Sequence, residues 1–215
     1  MPASDATIVA CTALIQSDQE RAGDKSDAYM LRAFAYRRKG QVTQAIADLT
    51  EAIALSNALH DNLHSSINYV NRGQTYASIG LDGQAISDFT SAMPLLPTAF
   101  APYEGRAAAY DHMGRHDLAI ADLTHAIALE PGYAGLYLDR AYTYGAEGLN
   151  DLALADYNES IALNPNSALA YSNRGVTYEN MGRKDQAIAD YRAALKINPN
   201  MQEAKAGLGR LGAPL

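Results

Sequence analysis

Apolar and small residues recur along the chain in two alternating registers, with polar residues between them. From Ala168 onward, Tyr171, Gly175 and Tyr178 stand at i, i+4 and i+7, a single stripe on a helix. Ala187, Tyr191, Ala194, Leu195 and Ile197 then return to mostly three- and four-residue spacing. Gly182 lies between the two stripes, where a residue without a Cβ closes a helix at least cost. Asn198-Pro199 ends the second stripe, because proline disfavours helix at the preceding residue and lacks an N–H. The pattern predicts an antiparallel helical hairpin, with small residues at the close approach. One hairpin cannot bury both of its faces, so neighbouring hairpins have to stack.

The same pattern is spelled out five times at a spacing of 34 residues, in tracts beginning at Ser26, Ser66, Phe100, Ala134 and Ala168. Position 4 is Tyr29, Tyr69, Tyr103, Tyr137 and Tyr171, and position 11 is Tyr36, Tyr76, Tyr110, Tyr144 and Tyr178. Position 15 is glycine throughout (Gly40, Gly80, Gly114, Gly148, Gly182), and position 20 is alanine throughout (Ala45, Ala85, Ala119, Ala153, Ala187). Position 32 is proline from the second tract onward (Pro97, Pro131, Pro165, Pro199). Small residues at 8 and 20, an aromatic at 11 and proline at 32 resemble the tetratricopeptide repeat (TPR), in its bacterial form. The resemblance implies an all-α, right-handed superhelical solenoid of antiparallel helix pairs. It further implies a non-enzymatic protein–protein interaction scaffold or adaptor, binding a peptide segment or helix of a partner in a concave groove. The alternative is a structural chain that self-assembles into homo-oligomers.

The repeats run over 26–59, 66–99, 100–133, 134–167 and 168–201, with a six-residue insertion at 60–65 for which a loop is expected. Residues 1–25 read as a lead-in helix (Ala6 to Gln16) followed by a polar connector (Ser17 to Lys25). Residues 202–215 read as a capping helix and tail, with Gln202, Lys205 and Arg210 on its solvated face.

Position 7 is arginine in every repeat (Arg32, Arg72, Arg106, Arg140, Arg174), and position 23 is aspartate in every repeat (Asp48, Asp88, Asp122, Asp156, Asp190). A guanidinium on the flank of a first helix can fork onto a carboxylate of a second helix, within a repeat or across to its neighbour. Ion pairs that set the packing register are therefore expected, rather than a ladder of anion-binding arginines.

In the TPR family the side of each first helix opposite positions 4, 8 and 11 lines the groove. Repeat one places Leu31, Phe34 and Arg38 there, and repeat two Val70, Asn71 and Gln74. Repeat three places Glu104, Ala108 and Asp111, repeat four Leu138, Asp139 and Tyr142, and repeat five Asn173, Val176 and Glu179. A carboxylate clamp of the family's kind needs lysine at position 2 or 5, arginine at 6, and asparagine at 6 and 9. No cation occupies position 2, 5 or 6 here, so an acidic chain terminus is not the expected ligand. Glu104, Asp111, Asp139 and Glu179 favour an apolar or basic partner segment instead. Asn71 and Asn173 either bond a bound backbone or meet solvent. Leu31 and Phe34, with Met30, either form an anchor pocket beside Arg37 and Arg38 or pack against the lead-in.

The 215 residues carry 24 acidic against 17 basic side chains, a net charge of −7 that argues against nucleic acid as a partner. The lone Cys11 excludes an intrachain disulfide, and its apolar stripe predicts a packed thiol. His60 and His64 share helical spacing, but in an expected loop they do not build a metal site. No catalytic constellation, cofactor motif or membrane span is legible, so neither an enzyme nor a cofactor is expected. Met1 to Ala6 lack the pattern of a signal peptide, which places the chain in the cytoplasm; a periplasmic or secreted location applies if a leader has been removed.

Overall fold

A computed structural model describes residues 3–214; Met1, Pro2 and Leu215, assigned above to the lead-in and the tail, lie outside them. The described residues form an all-α helical repeat solenoid in two compact units, 3–113 and 114–214. The N-terminal unit holds α1 (Ala3–Gln16), α2 (Ala22–Arg38), α3 (Val42–Ala58), α4 (Asn62–Ala77), α5 (Asp82–Ala92) and α6 (Ala101–His112). The C-terminal unit holds α7 (His116–Leu129), α8 (Ala134–Ala146), α9 (Asn150–Leu163), α10 (Ala168–Asn180), α11 (Lys184–Ile197) and α12 (Gln202–Arg210). Within each unit every helix packs on the next one along the chain. First helices also meet first helices: α4 touches α6, and α10 touches α8 and α12.

The recurring small residues make this packing possible. Ala45, Ala85, Ala119, Ala153 and Ala187 are all fully buried. Position 24 is buried in every repeat, as Leu49, Phe89, Leu123, Tyr157 and Tyr191. Where that residue is Phe89, Gly73 and Gly105 form the two walls of its slot. A Cβ on Gly105 would stand 2.5 Å from the ring, and one on Gly207 would stand 2.4 Å from the ring of Tyr191, whose other wall is Gly175. Gly105 thus belongs to the packing rather than to the groove surface. The position-15 glycines close the first helices at positive φ, from 69° at Gly114 to 74° at Gly80.

Two segments differ from the sequence reading. The insertion at 60–65 is not a loop, because α4 already begins at Asn62. Its residues 62–65 are helix, so the first helix α4 spans 16 residues, against 13 in the first helices α8 and α10. Asp61 caps α4 by accepting from the His64 backbone N–H at 3.1 Å, which explains how a polar stretch can start a helix. The tight turn before it falls on His60, at φ 56°, where the regular turns use glycine. The connector is also shorter than expected, since Ala22–Lys25 form the first turn of α2.

The lead-in helix α1 takes the place of a second helix against α2, with Cys11 buried and a Lys39–Asp5 ion pair at its edge. At the far end α12 covers α11 through buried Ala204 and Leu208. Gly212, at φ 65°, then turns the chain so that the Ala213 N–H donates to the Leu208 carbonyl at 2.9 Å.

Candidate functional site

The arginines of position 7 are engaged in the packing. Arg32, Arg72, Arg140 and Arg174 each fork onto the aspartate sixteen residues on (Asp48, Asp88, Asp156 and Asp190), with every N–H···O distance between 2.7 and 2.9 Å. All four pairs lie within a repeat. Their guanidinium groups also lie over the flanking tyrosines, as Arg32 does over Tyr29 at 5.4 Å and Tyr36 at 5.9 Å. The aspartate hydrogen bonds hold all four arginines above the usual guanidinium range. In the middle repeat Arg106 lies over Tyr110 at 5.8 Å, and Asp122 is buried on α7.

A third partner was absent from the sequence reading. The remaining arginine nitrogen donates to position 25 of the preceding second helix: Arg72 to Thr50 at 3.0 Å, Arg106 to Thr90 at 3.1 Å and Arg140 to Thr124 at 3.0 Å. Arg174 reaches Asn158 at 2.6 Å, and Arg32 reaches Thr12 on the lead-in helix at 2.9 Å. Each arginine therefore ties its own hairpin to the one before. The periodic Thr50, Thr90 and Thr124 were the signal that could have shown it. The ladder stops at the cap, where position 7 is the buried Leu208.

With those cations engaged in packing, the groove face is left to other side chains. In the N-terminal unit Leu31 is 49% and Phe34 38% exposed, so neither packs away under α1. Phe34, Arg37, Arg38, Val42, Gln74 and Ser78 border an open depression of about 600 Å³. Val70 instead packs against the Phe89 cluster, and Asn71 is buried. Ala108 is exposed on α6, whereas Glu104 and Asp111 are half-buried.

In the C-terminal unit Tyr142 is the most exposed aromatic of the groove face, at 57%. It borders a hollow of about 320 Å³ with Val176, Asn173, Asn180 and the small Gly145 and Ala146. Tyr157 also lines it, and burial pushes its hydroxyl well above the usual tyrosine range. Asn173 lines the same hollow, half-buried. Leu138 packs against the cluster of Ala141, Ala153 and Tyr157, while Asp139 is exposed beside it.

Glu179 is not an open acidic contact. Arg210 reaches back from α12 and grips both of its oxygens at 2.8 Å, and the Tyr191 hydroxyl donates to it at 2.6 Å. The arginine holds the Glu179 carboxyl below the usual range, and burial together with Glu179 pushes the Tyr191 hydroxyl up. Arg210 was assigned to the solvated face of the cap. Its true partner lies 31 residues away on a helix of the repeats, and no periodic signal links the two.

Elsewhere, burial pushes the Cys11 thiol up, as suits a packed side chain. His64 sits between Asp61, at 2.7 Å, and Asp27, at 3.6 Å. Among the described residues no cluster of three metal-ligating side chains occurs, and no helix is long and apolar enough to cross a membrane.

Comparison with known proteins agrees with this architecture. Residues 26–59, 102–133 and 168–201 match Tetratricopeptide repeat families, and residues 146–182 match a TPR repeat family. No curated protein matches the chain. Among solved structures the chain is similar to YrrB, a TPR protein with an unusual peptide-binding site. The identity is 20% and the TM-score 0.68, over 93% of this chain and 98% of YrrB, a likeness of fold. It is similar to MamA at 28% identity and a TM-score of 0.67, over 81% of this chain and 96% of MamA. The first TPR of Spaghetti (RPAP3), solved with the HSP90 peptide SRMEEVD, is 27% identical at a TM-score of 0.52, over 53% of this chain and 90% of that one.

Proposed function

Because this chain belongs to the tetratricopeptide repeat family, whose fold points to a protein–protein interaction scaffold, we propose that it works by binding an extended segment of another protein on the face of its first helices. It acts by binding rather than by catalysis. The observation that carries this reading is the hollow in the C-terminal unit. Gly145 and Ala146 stand where the other repeats carry larger pairs such as Asp111-His112, and their small size opens the space. Tyr142 and Val176 give it apolar walls, and Asn180 supplies a donor and an acceptor at the rim. An exposed aromatic beside a part-closed apolar hollow is the kind of surface that concentrates binding energy in a few contacts. One apolar side chain of a partner fits there, with its backbone bonded at the rim. The peptide-bound RPAP3 repeat domain, a relative at 27% identity, supports the same mode of action.

The test compares wild type with a Tyr142→Ala, Val176→Glu variant as bait for interacting proteins, with thermal melts to establish that both are folded. Loss of a partner by about tenfold or more, with the melting point retained, is the expected result for a groove anchor. Equal capture by both would move the binding surface elsewhere. Recovery of the chain alone, with a mass that grows with concentration, would favour self-assembly.

A further inference from the structure

We propose that the N-terminal unit holds a second subsite that takes an aspartate or glutamate side chain next to an apolar residue of the bound segment; this rests on the groove reading above. Among the described residues, Arg37 and Arg38 are the arginines whose side chains have neither a hydrogen bond nor an ion-pair partner. Every other arginine of the chain is tied to a carboxylate, a hydroxyl, an amide or a carbonyl, or takes part in further contacts. The two free ones stand together on the wall of the depression over Phe34, in a chain whose net charge is −7.

Cations in the last turn of a helix also complement its dipole, which gives a purely local reason for them. That reason is not enough here. The equivalent pairs in the other repeats are Ala77-Ser78, Asp111-His112, Gly145-Ala146 and Glu179-Asn180, and those first helices end as securely, at a positive-φ glycine, with at most a histidine for a cation. Two unpaired guanidinium groups beside exposed Phe34 and Leu31 offer forked donors next to apolar surface. The complementary ligand is a carboxylate one or two residues from a leucine- or phenylalanine-like side chain. Positions 12 and 13 lie outside the positions of the carboxylate clamp, so the subsite reads side-chain carboxylates and is indifferent to a chain terminus.

The occupant is therefore a peptide segment of a partner, and its charge is opposite to that favoured by the sequence reading. The acidic side chains that suggested a basic partner lie in repeats three to five, and Arg210 already neutralises one of them, Glu179.

The experiment selects peptides from a random dodecamer display library with the full chain. The selected peptides are then measured by fluorescence anisotropy against wild type, Arg37→Gln/Arg38→Gln and Arg37→Glu/Arg38→Glu. Enrichment of Asp or Glu beside Leu or Phe is expected. Charge reversal should weaken binding by about tenfold or more, the neutral variant less, and added salt should mimic the loss. Amidating the peptide C-terminus should leave affinity unchanged. Selected peptides that lack acids, or that bind the charge-reversed variant equally well, would overturn the subsite. If such peptides are still lost with Tyr142→Ala, Val176→Glu, the groove reading survives alone. Failure to enrich any peptide would overturn both. Self-association of the chain that charge reversal abolishes, without peptide binding, would make the occupant a second copy and overturn the peptide assignment.

Discussion

Arg72 grips Asp88 through two parallel hydrogen bonds of 2.8 and 2.7 Å, while its third nitrogen holds Thr50 of the preceding hairpin at 3.0 Å. The carboxylate side chain is only 6% exposed and that of the arginine 17%, so the pair sits at the edge of the core rather than on the surface. One side chain thus sets both the spacing of the two helices within a repeat and the register between repeats.

Removing the carboxylate leaves this guanidinium desolvated and unpaired. Asp88→Ala should therefore cost roughly 2–4 kcal/mol, near the range for breaking a buried pair. The exposed Glu51→Ala should stay within about 0.5 kcal/mol of wild type. Urea denaturation of the two variants, followed by far-UV circular dichroism, separates them, and equal midpoints would refute the staple.

Phe89 depends on its glycine walls. Gly105→Ala should destabilise by about 1–3 kcal/mol, because the enclosed ring has nowhere to retreat. Phe89→Leu in the same chain relieves the clash, so the double variant should lose less than the sum of the two single losses. Strict additivity in the double-mutant cycle would count against the slot.

His60 spends its φ of 56° without the freedom that glycine has. His60→Gly should raise stability by about 0.5–1 kcal/mol, since an L side chain in the left-handed region costs more than the extra chain entropy of glycine. A lower melting temperature for that variant would mean that the imidazole makes a contact worth more than the strain.

The cap responds to acid through Glu179. Arg210 depresses its carboxyl, so this contribution is fully present above the ordinary glutamate range and is lost as pH falls through the lowered folded-state value. Arg210→Ala should thus lower the melting temperature at neutral pH and match wild type once the medium is acid enough to protonate Glu179. A difference that persists unchanged at low pH would show that Arg210 acts through packing alone.

How much of this was legible in the sequence follows from which features repeat. The helical hairpins, their turns and the buried alanines recur every 34 residues, because each depends on neighbours along the chain and on an identical hairpin next door. The arginine and aspartate columns were visible for the same reason, although the threonine they lean on was overlooked. Features without a period were hidden. Residues 62–65 of the insertion became helix because Asp61 caps them, a local competition that composition alone does not decide. Leu31 and Phe34 stayed exposed because α1 packs elsewhere on α2.

The sequence by itself determined the architecture and which residues share the outward face of the first helices, since both follow from a repeated local pattern of small, aromatic and charged positions. Only the tertiary structure decided which groups on that face remain available. Glu179 is taken by Arg210 and Asn71 by burial, while Arg37 and Arg38 are left unpaired. Availability is a matter of distance between side chains far apart in the chain, and a repeat carries no record of it where the partners sit at its irregular ends.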